Sequence, residues 1–256
     1  MTKFDYTRQD LEYALGKIGI GKGDRLFIHC NIGFFGRMEG AGSAEKLCDN
    51  FLFVLKKVLT DEGTFVLPTF SYSFCHGEIY DPKSTKSVCG MLTEYARKQE
   101  DVIRSLDPNF SIAAWGKLAR EYTENPTHES FGEGSFWERL LNGGAKIVCM
   151  NMDCGSTFVH FAERYYSVPY RYNKAFNGVK VLSDGTRQRD YAVHYVFDGE
   201  EDAPSFERLD RKCRDEGICK TTDLGKGSML VMDIRQYFDL ICKTLKTEPR
   251  FLTAGG

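Results

Sequence analysis

The stretch from Arg25 to Phe70 constrains this chain more than any other. Arg25-Leu26-Phe27-Ile28-His29 reads as a short buried strand, entered through the turn Lys22-Gly23-Asp24. A glycine-rich loop from Asn31 to Gly42 follows, and Ser43 then offers its hydroxyl as the N-cap of a helix running from about Ala44 to Leu59. Gly63 to Phe70 reads as a second strand ending at Pro68. Strand, glycine loop and helix N-terminus together form a cradle for an anion, because free amide N–H groups and the positive end of the helix dipole address the same space.

The remaining segments continue the alternation. Tyr6 to Leu15 has helical apolar spacing, and a long irregular stretch through Tyr80-Asp81-Pro82 is of a length usually reserved for function or motion. A helix over Met91 to Lys98 precedes Val102-Ile103-Arg104-Ser105, and Ala145 to Met150 is a third buried strand. Val179 to Leu182 and Asp190 to Phe197 flank Asp184-Gly185, a hairpin signal. After an acidic turn at Asp198-Gly199-Glu200-Glu201-Asp202, the pattern predicts a helix over Phe206 to Glu216, a strand over Ser228 to Asp233 and a helix over Ile234 to Lys246. The expected fold is α/β: a layered α/β/α sandwich with a central mixed sheet and a smaller antiparallel accessory region.

Charge narrows the partners. With 34 basic against 36 acidic residues there is no general basic field to attract nucleic acid, and the expected partner is a small molecule. No apolar run approaches the roughly 18 residues needed to span a bilayer. The start, Met1-Thr2-Lys3-Phe4-Asp5-Tyr6, is charged rather than signal-like, so the expectation is a cytoplasmic protein with no membrane partner. The nine cysteines are odd in number and contain no C-x-x-C pair, which predicts buried thiols in a reducing compartment and no metal. Oligomeric state leaves no readable mark, and a homo-oligomer is compatible with the sequence.

His160 and Glu163 lie three residues apart in Ser156-Thr157-Phe158-Val159-His160-Phe161-Ala162-Glu163, which reads as a helix pointed at by the third strand. Neighbours at that spacing meet on a helix face. A carboxylate beside an imidazole orients the ring and raises its proton affinity, and that suits a general base; a solvated surface pair has the same spacing. Ligands in open α/β sheets gather beyond the carboxyl ends of the strands, so strand, Gly155 loop, Thr157 and His160 form an active-site order. Tyr165, Tyr166, Tyr170 and Tyr172 cluster just after it, as rings for stacking or as core-edge residues.

In order and spacing the segments resemble the aminoglycoside 3-N-acetyltransferase family. The resemblance rests on His29 to Gly36, Gly63-Thr64 with Pro68-Thr69-Phe70, Asp81-Pro82 with Thr85, Ser87 and Gly90, and Arg104-Ser105 with Pro108, Ser111, Ala114 and Gly116. It continues through His128 with Gly132-Glu133-Gly134-Ser135, then Thr157, His160 and Glu163. Two positions depart from the family pattern: Asp107 stands where a histidine is usual, and Phe136 where a proline is common. Arg37-x-x-Gly40-x-Gly42 also has the form of the pyrophosphate loop of GNAT acetyltransferases, which again points to CoA.

The resemblance implies an acyltransferase that moves an acyl group, acetyl or longer, from CoA directly to a primary amine. His160 is the implied base, with Glu163 holding its ring and Thr157 or backbone amides stabilising the developing oxyanion. It further implies acyl-CoA contacts at His29, Asn31, Gly33, Phe34, Phe35, Gly36, Thr69, Arg104, Ser105 and Ser111, and acceptor contacts at Tyr72, Asp81, Tyr166 and Arg171. Residues 1–177 would form the acyl-CoA-binding and catalytic core, and 178–256 an accessory hairpin plus a C-terminal strand and helix completing the same domain. Bland roles stand beside these. His29 can hold backbone at a strand end, Arg104 can pair with a core carboxylate rather than a CoA phosphate, Ser105 and Ser111 can close turns, and Phe34 and Phe35 can be core. His128 reads as structural or acceptor-side, while His76 and His194 carry no motif.

Two amino-sugar acceptors compete. Aminoglycosides are polycations and need an acidic cleft, whereas a dTDP- or UDP-linked amino sugar of surface-polysaccharide assembly brings a diphosphate and needs basic and aromatic groups. Arg164, Arg171, Lys174 and the tyrosines among them favour the nucleotide-linked sugar; the acidic turn favours the aminoglycoside. From other classes, a thiol hydrolase would use Cys154 with His160, and a binding module would take up CoA without turnover.

Overall fold

The computed structural model describes residues 4–199 and 204–255. Met1 to Lys3 and the acidic residues Glu200 to Asp202 lie outside the described residues. In chain order the elements begin with α1 (Arg8–Lys17), β1 (Arg25–Cys30), α2 (Ala44–Leu59), β2 (Thr64–Pro68), α3 (Met91–Ala96), β3 (Ile103–Arg104) and β4 (Ile112–Gly116). They continue with α4 (Ala119–Thr123), α5 (Phe136–Asn142), β5 (Lys146–Met150), α6 (Val159–Tyr166), β6 (Arg171–Val181) and β7 (Arg187–Phe197). The chain closes with α7 (Glu207–Asp215), β8 (Cys219–Leu224), β9 (Gly227–Asp233) and α8 (Ile234–Thr247). Side chains start the helices as the sequence implies. Ser43 Oγ accepts the Lys46 N–H at the head of α2, Asp233 accepts from Arg235 and Gln236 at the head of α8, and Thr7 and Asp10 form a reciprocal capping box on α1.

Seven strands form one mixed sheet in the order β3-β4-β2-β1-β5-β9-β8. β1 runs parallel to β2 and β5, while β4, β9 and the two outer strands are antiparallel to their neighbours. Alternate residues of the central strands feed two separate cores. Leu26, Ile28, Phe65, Leu67, Val148 and Met150 pack under α1, α2 and α3; Phe27, Val66, Ile147 and Cys149 pack under α4, α5, α6 and α8. That double burial makes the fold an α/β/α sandwich and explains why β1 and β5 read as unbroken apolar runs.

β6 and β7 form the separate two-stranded sheet, paired from Arg171–Phe197 to Val181–Arg187. The hairpin begins seven residues before the apolar pattern at Gly178, because Tyr172, Asn173 and Lys174 are exposed and their pairing leaves no hydrophobic trace. It is sewn to the body by bridges Tyr80–Lys180 and Glu129–Val193. β4 and β8 were not legible either: Ala113 and Ala114 lack strand propensity, and β8 is a polar edge strand.

At the end of β4 two backbones approach closely. Gly116 has φ +104°, and a Cβ there would overlap the Gly63 carbonyl. Gly116→Ala should lower stability by roughly 2–3 kcal/mol and move the thermal midpoint down by about 5–10 °C; a midpoint within a degree of wild type would refute the steric argument.

Candidate active site

The carboxyl ends of β1 and β5 meet the loop that leads into α6. Asn151, at φ +56°, donates its side-chain amide to the Asn31 carbonyl at 3.0 Å and accepts the Ser228 N–H at 3.1 Å, joining the ends of β1, β5 and β9. His29 is buried at the end of β1; its Nε2 accepts the Thr157 N–H at 3.3 Å and meets Ser156 Oγ at 3.0 Å. Burial holds the His29 imidazole near pKa 4, so it is neutral and its role is to anchor the loop before α6.

On α6, His160 Nδ1 lies 2.6 Å from Glu163 Oε2, so the i,i+3 pair is formed and is not a solvated one. The Glu163 side chain is 1% exposed and that of His160 18%. Tyr170 donates its hydroxyl to Glu163 Oε1 at 2.8 Å, and Arg171 Nε approaches Oε2 to 2.8 Å, a charge contact in which the N–H is not aimed at the oxygen. Arg171 Nη1 donates to the Tyr195 carbonyl at 2.9 Å, and its guanidinium lies 3.7 Å from the centre of the Phe197 ring.

Burial works against the charge on Glu163, but His160, Arg171 and the Tyr170 hydroxyl outweigh it and the carboxyl is held below its usual range. Burial lowers the His160 pKa; Glu163 raises it and Arg171 lowers it, with the net effect downward. The carboxylate raises the proton affinity of the ring, as the sequence led one to expect, but desolvation, with Arg171 acting in the same direction, outweighs it. The result is a neutral imidazole at neutral pH.

A cavity of about 250 Å³ opens on this ring, lined by Tyr72, Phe110, Thr157, His160, Arg171, His194, Val196, Phe197 and Pro204. Tyr72 takes a left-handed backbone, φ +54°, which costs roughly 1–2 kcal/mol for a side chain of that kind and places it on the wall. Of the residues assigned to the acceptor, Tyr72 and Arg171 reach this wall, while Asp81 and Tyr166 are not among its lining residues. Asp81 instead accepts from Lys83 N and Ser84 Oγ in its own turn. His194 was missed. It touches Phe110 edge-on at 4.7 Å, and burial, followed by the nearby His160 and Arg171, holds it near pKa 3. The alternation of Asp190 to Phe197 was the available signal, since it puts His194 and Val196 on one strand face.

The residues assigned to acyl-CoA separate into two groups. Asn31, Gly33 and Phe34 are exposed on the loop after β1, with Phe34 66% exposed. Phe35 is core, stacked on Phe51, and Gly36 is required at φ +87° because a Cβ would overlap the Asp5 carboxylate. Among the described residues Arg104 pairs with no carboxylate: Nε reaches Thr69 Oγ1 and Ser111 Oγ at 3.2 Å, Nη2 donates to the Thr69 carbonyl at 2.7 Å, and Nη1 donates to the Pro82 and Thr85 carbonyls. Ser105 Oγ accepts the Ile112 N–H, and Thr69, Ser105 and Ser111 are buried. This group knits β2, β3 and β4, and its donors are engaged within the protein. His128 is exposed, bonded to Asp190 at 2.9 Å and stacked on Tyr191.

Cys154 is fully buried, and its contact with the Cys213 thiol, burial and Asp210 all push its pKa far up, so the thiol hydrolase lacks an accessible nucleophile. Two of the three basic residues that favoured a diphosphate are engaged, Arg164 with Glu129 at 3.0 Å and Arg171 with Glu163, while Lys174 is exposed on β6. Among the described residues no helix is long and apolar enough to cross a membrane.

A family model described as aminoglycoside 3-N-acetyltransferase matches residues 27–246. An aminoglycoside N(3')-acetyltransferase-like protein of Bacillus subtilis (strain 168), YokD, is 27% identical over 73% of this chain and 74% of its own. Aminoglycoside N(3)-acetyltransferase VII of Streptomyces paromomycinus is 23% identical over 91% of this chain and 89% of its own. Among solved structures, AAC-IIIb in a binary complex with CoASH superposes with a TM-score of 0.82 at 18% identity, covering 98% of this chain and 99% of that one. AAC-VIa bound to sisomicin superposes at 0.78 with 18% identity, covering 94% and 98%.

Keeping His29 neutral makes stability depend on pH. Its folded pKa lies below the ordinary 6.5, so its contribution is complete above pH 6.5 and is lost as pH falls toward about 4. The loss is on the order of 3 kcal/mol. Thermal midpoints measured from pH 7 to 4 should fall more steeply for wild type than for His29→Asn; parallel curves would contradict the assignment.

Proposed function

Because this chain belongs to the aminoglycoside 3-N-acetyltransferase family, we propose that it transfers an acetyl group from acetyl-CoA to a primary amine of an aminoglycoside. The observation that carries this reading is the neutral His160, backed by buried Glu163 and opening on the cavity. The relatives named for aminoglycoside acetylation support that acceptor over the nucleotide-linked amino sugar, and the pairing of Arg164 and Arg171 with carboxylates takes up two of the three positive charges that had favoured a diphosphate.

The amine is a nucleophile only as the free base. His160 holds its own proton on Nδ1 against Glu163, which leaves the Nε2 lone pair to take a proton from the attacking amine. Acetyl-CoA supplies the acyl group already activated as a thioester. The ammonium first gives one proton to solvent; as the free amine forms the new C–N bond, its second proton passes to His160, which delivers it to the thiolate as the C–S bond breaks, so no acyl-enzyme is needed. Thr157, on the cavity wall beside His160, donates its hydroxyl to the developing oxyanion. The loop at the end of β1, with exposed Phe34 and with exposed Met91 beside Gly33, offers an apolar track suited to the pantetheine arm. Glu163 stabilises the imidazolium formed in transit, and the lowered His160 pKa keeps the base free at neutral pH.

Thiol release from acetyl-CoA should appear with a panel of aminoglycosides and not with dTDP- or UDP-linked amino sugars; release only with the nucleotide-linked sugars would overturn the acceptor. His160→Ala should lose about 10²–10⁴-fold in kcat while still binding acetyl-CoA, and normal turnover in that variant would remove His160 from the mechanism.

A further inference from the structure

The Glu163 carboxylate is almost wholly buried, and one of its oxygens, Oε2, serves two neighbours: His160 Nδ1 at 2.6 Å and Arg171 Nε at 2.8 Å. An isolated carboxylate in such a place takes up a proton rather than remain charged. A protonated Glu163 would donate to Nδ1, force the imidazole hydrogen onto Nε2 and leave no lone pair facing the cavity. The cation beside it is therefore decisive. Arg171 reaches Glu163 from β6, and its side chain, 3% exposed, is clamped by the Tyr195 carbonyl and the Phe197 ring. It stands on the cavity wall, but its charge is directed at the carboxylate.

We infer that Arg171 is a positioning residue that keeps Glu163 ionised and thereby fixes the proton of His160 on Nδ1, leaving Nε2 as the base. This rests on the reading of His160 as the base, and it replaces the substrate contact expected of Arg171 from the sequence. Among the described residues, the other titratable groups facing the pair are Tyr170 on Glu163 Oε1, Tyr195 from β7, whose pKa burial raises, and, across the cavity, His194 from β7 and Tyr72 from the loop after β2. The hydroxyl of Tyr170 is neutral and burial keeps His194 uncharged, so neither substitutes for the guanidinium. Arg171 has a second effect through the same contact. When His160 becomes an imidazolium, the neighbouring guanidinium repels it, which speeds return of the proton to the leaving group.

The test reads the proton directly. In wild-type enzyme at pH 7, the ¹⁵N shifts of the His160 ring, assigned by their loss in His160→Ala, should show a neutral imidazole protonated on Nδ1. The ¹³C shift of the Glu163 carboxyl should stay at its ionised value from pH 8 to pH 5. In Arg171→Gln, Nε2 should carry a proton at pH 7 and the acidic limb of kcat/KM should move up by about one pH unit, tenfold in rate at a pH on that limb. Arg171→Lys, which keeps the charge, should restore the wild-type ring spectrum. A Glu163 protonated at pH 7 in wild type overturns the inference without any variant. A folded Arg171→Gln enzyme with unchanged tautomer and pH profile also overturns it and assigns Arg171 to packing alone. The ring and carboxyl spectra need no acceptor, so activity persisting in His160→Ala would remove the catalytic reading while leaving the proton assignment to stand or fall by itself.

Discussion

A buried carboxylate has to be neutralised, and around Glu163 much of the local structure follows from that need. Its two oxygens are met by an imidazole from its own helix, a tyrosine hydroxyl just past the end of that helix and a guanidinium from the accessory hairpin. Removing a charge from water costs several kcal/mol unless partners are held in place. Here they are held by rigid elements: α6 fixes His160 and Glu163 in phase, and the pairing of β6 with β7 fixes Arg171 opposite Phe197. The site is consequently preorganised by the same interactions that make the buried charge tolerable.

The sheet supplies the other half of the geometry. β1 and β5 lie side by side and parallel, so their carboxyl ends release two loops into one space, and His29 from the first grips the Thr157 amide of the second. The hairpin closes that space from outside, contributing Arg171 at the start of β6 and His194, Val196 and Phe197 near the end of β7. A two-stranded ribbon has little stability alone; bridges to the 80 and 129 loops and the packing of Phe74 against Gly178 hold it to the body.

A second polar network shows how motif residues can acquire other work. Arg104, Thr69, Ser105 and Ser111 belong to the ordered series of motifs, and a ligand role was a natural expectation for hydroxyls and a guanidinium in such a series. In the fold Arg104, Thr69 and Ser111 satisfy one another and the carbonyls of Thr69, Pro82 and Thr85, and Ser105 takes the Ile112 N–H. Those carbonyls sit just past the end of β2 and within the irregular 71–90 stretch, and backbone there needs donors that no regular ladder provides. From the sequence a donor that binds ligand and a donor that binds backbone look alike.

Local patterning was enough for β1, β2, β5, β9, α2 and α8, whose apolar runs and capping residues answer directly to burial and backbone satisfaction. It was also enough for the His160–Glu163 pair, because helix geometry alone brings positions three apart together. The tertiary structure decided the rest. It showed that Arg171 faces Glu163 rather than solvent, that His194 shares the cavity, that Phe34 is exposed while Phe35 is core, and that Ala113 and Ala114 lie in a strand. Each of these depends on contacts between elements distant in the chain, and burial of that kind leaves no periodic trace in the residues themselves.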